Sequence, residues 1–173
     1  MTKVTIGNNV TNIGGLAFGF CSSLTNVTIG SSVTAIGNGA FEECTALKGA
    51  YFSGNTPIAS SIFYDDNNAT VYYLPGTTGW GLTFSGRPTV LWNPQAQSSD
   101  GSFGVRTNRF GFNITGSSNL VIVVEASTNP ANSNWSPVST NTLNTFVGAN
   151  GSSYFSDPQW TNYPARFYRL RSP

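Results

Sequence analysis

Apolar residues recur along the first part of the chain in a fixed phase. Val4, Ile6, Val10, Ile13, Ala17, Phe18, Cys21 and Leu24 are matched one for one by Val27, Ile29, Val33, Ile36, Ala40, Phe41, Cys44 and Leu47, at a constant offset of 23 residues. Within each unit Val-Thr-Ile alternates apolar, polar, apolar, which predicts a short strand with one dry face. Gly7 and Gly30 then let the chain turn, and a second brief extended piece ends at Ile-Gly. The Ala-Phe…Cys…Leu segment is expected to curl back as a short helical or 3₁₀ turn. A unit of this size cannot bury its apolar face alone. The period therefore predicts stacked coils about 4.8 Å apart, with Ile6 over Ile29, Phe18 over Phe41 and Cys21 over Cys44.

The pattern decays after Gly49. Ala50-Tyr-Phe falls one period after Val27 and predicts a third strand, with Ile58 to Phe63 as its apolar return and Asp65-Asp-Asn-Asn68 as a turn. Ala69-Thr-Val-Tyr-Tyr-Leu74 predicts a fourth strand, and Pro75 marks its end because it has no N–H for a ladder. Bulkier aromatics replace the repeat as far as Trp92, as a C-terminal cap requires. Asn93 to Ser102 is almost without apolar residues and reads as a linker.

Beyond it, apolar runs of strand length (103–106, 109–115, 120–126, 135–138, 144–147, 153–156 and 166–171) are separated by Gly, Asn, Ser and Pro turns. Several short strands at this spacing predict a small antiparallel β-sandwich over 103–173, with 120–124 as its central strand. The expected fold is mainly β: a short solenoid with an aromatic cap over 1–92, a linker over 93–102, and the sandwich.

Composition narrows the chemistry. Only 9% of residues are charged and the formal net charge is +1, so the surface is polar through amides and hydroxyls. No basic run collects phosphates, which argues against nucleic acid. No apolar stretch approaches the ~20 residues of a membrane span. There is no histidine, so Ser-His or Cys-His activation of a nucleophile is unavailable, and no carboxylate pair is placed as a glycosidase would need. Asp65 to Asn68 offers oxygen ligands but lacks the spacing of a calcium loop. Two cysteines without histidine are poor support for a metal site; Cys21 and Cys44 read as small buried hydrophobes, with a disulfide between neighbouring coils as the alternative. The reading is non-enzymatic, without catalytic residues, cofactor or metal.

The Ile-Gly-x-x-Ala-Phe-x-x-Cys-x-x-Leu-x-x-Val-x-Ile pattern, at Ile13 to Ile29 and again from Ile36 to Leu47, resembles the BspA-type leucine-rich repeat family of bacterial surface and secreted proteins. The resemblance implies a solenoid used for adhesion or protein binding on the cell exterior, with no catalytic residues to carry over. Gly7 and Gly30 stand where members of that family commonly have proline. Ala126-Ser-Thr-Asn129…Trp135 and Phe155-Ser-Asp-Pro158…Arg166-Phe-Tyr-Arg-Leu170 are similar to fibronectin type III or immunoglobulin-like modules, which implies a spacer or sorting module near the envelope.

Candidate contacts follow from the strand phase. Thr5, Thr28, Tyr51 and Tyr72 are expected as one exposed ladder, with Thr11 and Thr34 as another; as a plain solvated face such rows need no partner, since Thr favours strands. Trp80, Trp92, Trp135 and Trp160 are candidate glycan platforms, weighed against core packing. The expected partner is an extracellular protein or polysaccharide. The first coil carries no cap over Val4, Ile6 and Phe18, which predicts earlier repeats and an export signal upstream, or self-association through that coil; a structural stalk with no ligand is the competing expectation.

Overall fold

The structure, a computed structural model, describes residues 1–131, 134–145 and 150–173. The chain forms two compact units, Met1–Trp92 and Asn93–Pro173. Both are built of strands; the one helical element among the described residues is a 3₁₀ turn, Trp160–Asn162.

In unit 1 each coil supplies one four-residue strand and one two-residue strand where the alternation placed them: β1 (Lys3–Ile6), β2 (Asn12–Ile13), β3 (Asn26–Ile29), β4 (Ala35–Ile36), β5 (Gly49–Phe52), β6 (Ile58–Ala59) and β7 (Thr70–Tyr73). A hairpin of β8 (Thr83–Phe84) and β9 (Arg87–Leu91) ends the stack. The long strands lie parallel in the order β1-β3-β5-β7-β9, and the short ones as β2-β4-β6. Val4 sits beside Val27 and Ile6 beside Ile29, so the sequence offset is also the ladder register. The result is a solenoid of about three turns with Leu24, Val27, Ile29, Phe41, Leu47 and Val71 fully buried inside it.

The returning segment is not helical. Alternate N–H groups close tight local turns, as Ala17 to the Gly14 carbonyl and Gly19 to the Leu16 carbonyl. The others point sideways: Leu16, Phe18 and Phe20 donate to the carbonyls of Asn38, Ala40 and Glu42 in the next coil. Gly39, Phe41 and Glu43 repeat the pattern onto Ser61, Ile62 and Tyr64. A helix would spend these donors within its own coil; a stack of coils satisfies them between neighbours. The left-handed φ of Leu16 (56°), Phe20 (61°) and Glu43 (54°) accompanies this winding.

The decayed third coil keeps the core slots with 21 residues from strand to strand, Ala50 to Val71, where the earlier coils use 23. Phe63 continues the ring stack of Phe18 and Phe41, at centroid distances of 5.4 and 5.7 Å. Ile58, expected in the apolar return, is instead 82% exposed, and Ile62 and Phe63 fill the interior. Both cysteines are free thiols. Cys44 is buried, its Sγ donates to the Phe18 carbonyl (3.1 Å), and burial pushes its pKa up to about 11. Asp66 follows Cys44 in the count of the coils and is 1% exposed. Trp80 packs on Phe52, Tyr73 and Phe84 (5.0, 5.4 and 5.3 Å), closing the core from the C-terminal side.

Among the described residues unit 2 has eight strands: β10 (Gln95–Ala96), β11 (Gly104–Arg106), β12 (Arg109–Ser117), β13 (Val121–Ser127), β14 (Ser136–Thr142), β15 (Asn144–Thr145), β16 (Asn150–Asp157) and β17 (Phe167–Arg171). One antiparallel sheet runs β10-β12-β16-β15 with β11 on β12, the other β14-β13-β17. Phe112 and Phe155 of the first meet Tyr168 of the second (6.1 and 5.3 Å), and Ile114, Leu120, Ile122 and Val124 are fully buried. Two sheets packed through such a layer form a sandwich. The expected run 144–147 ends, within the described residues, at Thr145. Residues 93–102, read as a linker from their polarity, contribute a strand: Gln95 and Ala96 pair with Thr115 and Ile114. Their amides and hydroxyls bind backbone, as Asn93 Oδ1 does in accepting the Ser117 N–H (2.9 Å).

Glu125, in the middle of β13, is 5% exposed and accepts from Arg169 and Arg171 of β17. Burial raises its pKa, but the hydrogen bonds and charges of the two arginines outweigh that and hold it below the usual range. Its contribution is therefore present at neutral pH and lost as pH falls through the folded pKa. Glu125→Gln is expected to destabilise unit 2 by about 1–2 kcal/mol at pH 7, discounted for the partly exposed arginines, with a smaller effect at pH 3. Urea titration at the two pH values checks this; equal losses at both would rule it out.

Candidate binding faces

Parallel pairing in register places one residue of each long strand over the next. Thr5 is beside Thr28, Thr28 beside Tyr51, Tyr51 beside Tyr72, and Tyr72 beside Val90. These positions alternate with the buried Ile6, Val27, Ile29, Ala50, Phe52 and Val71, so they stand on the outer face of the sheet. Thr5 is exposed, and Thr28, Tyr51 and Tyr72 are half-buried.

The two tyrosines stack with ring centroids 4.7 Å apart and planes 12° from parallel. Gly49 makes room for this: a Cβ there would come within 2.7 Å of the Tyr51 ring. The ring thus lies flat on a glycine two residues earlier in its own strand. Burial pushes both phenol pKa values upward, most strongly for Tyr51, which also faces Tyr72, while Thr70 offsets part of the rise at Tyr72. Both phenols are neutral at physiological pH, and the row offers flat rings and hydroxyls. Tyr51 and Tyr72 were legible from strand phase; the supporting glycine was not, because only the coordinates show which way the ring lies.

Thr11 and Thr34 form a separate row just ahead of β2 and β4. The Thr11 carbonyl accepts the Thr34 N–H (2.8 Å), and the Thr34 carbonyl accepts the Ile58 N–H (2.8 Å), so that row belongs to the flank of the second sheet. Each tryptophan is held within its own unit. Trp80 is packed as described above. Trp92 is half-buried, its backbone N–H donates to the Tyr73 carbonyl (2.8 Å), and its indole N–H is buried without a partner. Trp135 lies under the Arg169 guanidinium, 4.5 Å from ring centroid to Cζ, and Trp160 Nε1 donates to the Asn108 carbonyl (3.4 Å).

Among the described residues, no group of three or more His, Cys, Asp or Glu side chains converges as metal ligands. The Asp65 to Asn68 turn is braced by Arg87, whose Nη1 donates to the Asp66 carbonyl (3.1 Å) and Asn67 Oδ1 (3.3 Å). No helix among the described residues is long and apolar enough to cross a membrane. At the N-terminal end of the solenoid an open hollow of about 360 Å³ is lined by Val4, Ile6, Val10, Ile13, Ala17 and Phe18.

The sequence model of the family described as BspA type leucine rich repeat region matches residues 1–79, in six copies. That match supports leucine-rich repeats over the solenoid. No curated protein and no solved structure matched the chain.

Proposed function

We propose that the chain, with leucine-rich repeats of the BspA type over residues 1–79, is a non-enzymatic binding protein of the bacterial cell exterior that docks a partner protein on the outer face of its long-strand sheet. The observation that carries this is the stacked Tyr51–Tyr72 pair, continued by Thr28 and Thr5 in one straight, uncharged row. Aromatic rings held rigid before contact lose little side-chain entropy on binding, and they are the residues on which interface energy most often concentrates. BspA-type repeats are typical of bacterial surface proteins, which supports the exterior location.

Unit 2 is read as a fibronectin type III or immunoglobulin-like spacer. Support comes from its strand order, with β10-β12-β16 in one sheet and β14-β13-β17 in the other. A polysaccharide is the second ligand class for the tyrosine row, because the same rings suit sugar faces.

Arrays of extracellular proteins and glycans probed with the labelled chain test both readings. A partner protein is expected to lose 10-fold or more in affinity on Tyr51→Ser with Tyr72→Ser, since buried aromatic anchors are worth about 2 kcal/mol each. Thr11→Ala with Thr34→Ala is expected to leave it unchanged. Binding indifferent to the tyrosines would remove the proposal.

A further inference from the structure

The ion pairs of unit 2 leave two of its arginines without a carboxylate, side by side. Glu125 takes Arg169 and Arg171, and Asp157 takes Arg166. Asp100 accepts from the backbone N–H and hydroxyl of Ser102 (2.9 and 2.5 Å) and from the Asn113 amide (2.8 Å). Arg106 and Arg109 remain exposed, without a carboxylate partner among the described residues.

These two arginines are held against each other. They are directly opposed on the β11–β12 hairpin, where like charges repel. The turn between them is Thr107-Asn108, both at left-handed φ (48° and 58°), and Trp160 anchors the Asn108 carbonyl. A two-residue turn of this kind fixes the register and keeps both guanidinium groups at one end of the same face. An anion between them would turn repulsion into two attractive contacts.

The face beside them is shaped for a ring. A hollow of about 480 Å³ is lined by both arginines, Ser102, Asn113, Tyr154 and Ser156. Gly104 and Gly111 pair across β11 and β12 two residues from the arginine pair, on the same face. Tyr154 lies over Gly111: a Cβ on that glycine would come within 2.7 Å of the ring. The ring is nevertheless 46% exposed.

We infer that this face of unit 2 binds an anionic sugar residue of a polysaccharide, with Tyr154 against the apolar face of the sugar ring and Arg106 and Arg109 on its charged group. Guanidinium forks pair with the oxygens of a carboxylate or an oxyanion ester, and a rigid exposed ring stacks on a pyranose without ordering cost. Ser156 offers a hydroxyl to the sugar, while the Ser102 hydroxyl and the Asn113 amide N–H are held by Asp100 and fix the wall of the hollow. A uronate and a sulfate ester carry the same charge in the same forked geometry, so both belong to the inferred class.

Affinity electrophoresis of the full chain in gels containing a polyuronate, a sulfated galactan or neutral dextran tests the inference. Retardation is expected in at least one anionic gel and not in dextran, and the gel that retards identifies uronate or sulfate. Arg106→Gln with Arg109→Gln is expected to weaken binding more than 10-fold, and Tyr154→Ala about 10-fold at unchanged charge, while Tyr154→Phe retains it. Lys3→Gln with Lys48→Gln removes the same charge from unit 1 and is expected to change nothing. The inference is overturned if neither anionic gel retards the chain, or if the lysine variant loses as much as the arginine variant. It is equally overturned if Tyr154→Ala binds as the wild type, or if single-stranded DNA retards the chain to the same degree.

Discussion

Replacing Asp66 with asparagine raises the stability of unit 1 at pH 7.5 by about 2–3 kcal/mol and removes its pH dependence between pH 4 and 7. Asp66 is 1% exposed, and neither carboxylate oxygen has a hydrogen-bond partner. Burial pushes its pKa up to about 6. The nearby Cys44 N–H, already spent on the Phe41 carbonyl, and the charge of Arg87 offset only part of that rise. The folded state thus holds a proton that the unfolded chain releases near pH 4. Stability is greatest below the unfolded pKa and falls as pH rises through about 6, by roughly 3 kcal/mol once both states are ionised. Unit 2 has the opposite slope, because Glu125 is held below its usual range. Urea titrations followed by NMR at Val71 and Ile122 read the two units separately. An Asp66→Asn midpoint no higher than wild type at pH 7.5, with the slope intact, would refute the assignment.

The second large effect is expected at Phe41. It is fully buried and is the middle ring of the Phe18–Phe41–Phe63 stack, so truncation empties a site walled by its neighbours above and below. Phe41→Ala is expected to cost about 3–5 kcal/mol, enough to unfold a marginal solenoid. Phe18 stacks on one side only and is half-buried, so Phe18→Ala is expected to cost about 1–2 kcal/mol. The ratio is the informative quantity: equal losses at the two positions would mean that the rings do not share one column.

The two predictions differ in how far they could be read from sequence. Phe41 over Phe18 follows from the offset of 23 residues, because identical residues in identical phase must stack if the coils do. Asp66 could not be placed this way. The third coil is two residues shorter and has lost the first of them before Phe63, so the count that carries Phe18 to Phe41 and Cys21 to Cys44 misses Phe63 and Asp66 by one. In the polar stretch 93–102 a related limit applies: polarity reports what side chains avoid, not whether their oxygens and amides are occupied. Asn93 and Asp100 bind backbone within unit 2, and hydrogen-bond partners of that kind leave no periodic trace. The tyrosine row was legible in phase. The arginine pair of β11 and β12 was not recognised as a pair, since its opposition depends on a turn formed by two residues at left-handed φ, neither of them glycine.

The sideways hydrogen bonds of the returning segment give the solenoid a direction. Leu16, Phe18 and Phe20 all send their N–H groups toward the next coil, so by the same phase the carbonyls of Gly15, Ala17 and Gly19 look out from the first. Along that row the open end presents acceptors, so a coil laid against it must bring donors to those positions. Two copies meeting end to end would set oxygen against oxygen along that row. At the opposite end the Ile62 N–H is taken by the Ser85 hydroxyl (2.9 Å), so that donor is satisfied within the chain. Along that row the solenoid has two unlike ends, one of free carbonyls and one whose Ile62 donor is closed by a hydroxyl of its own chain.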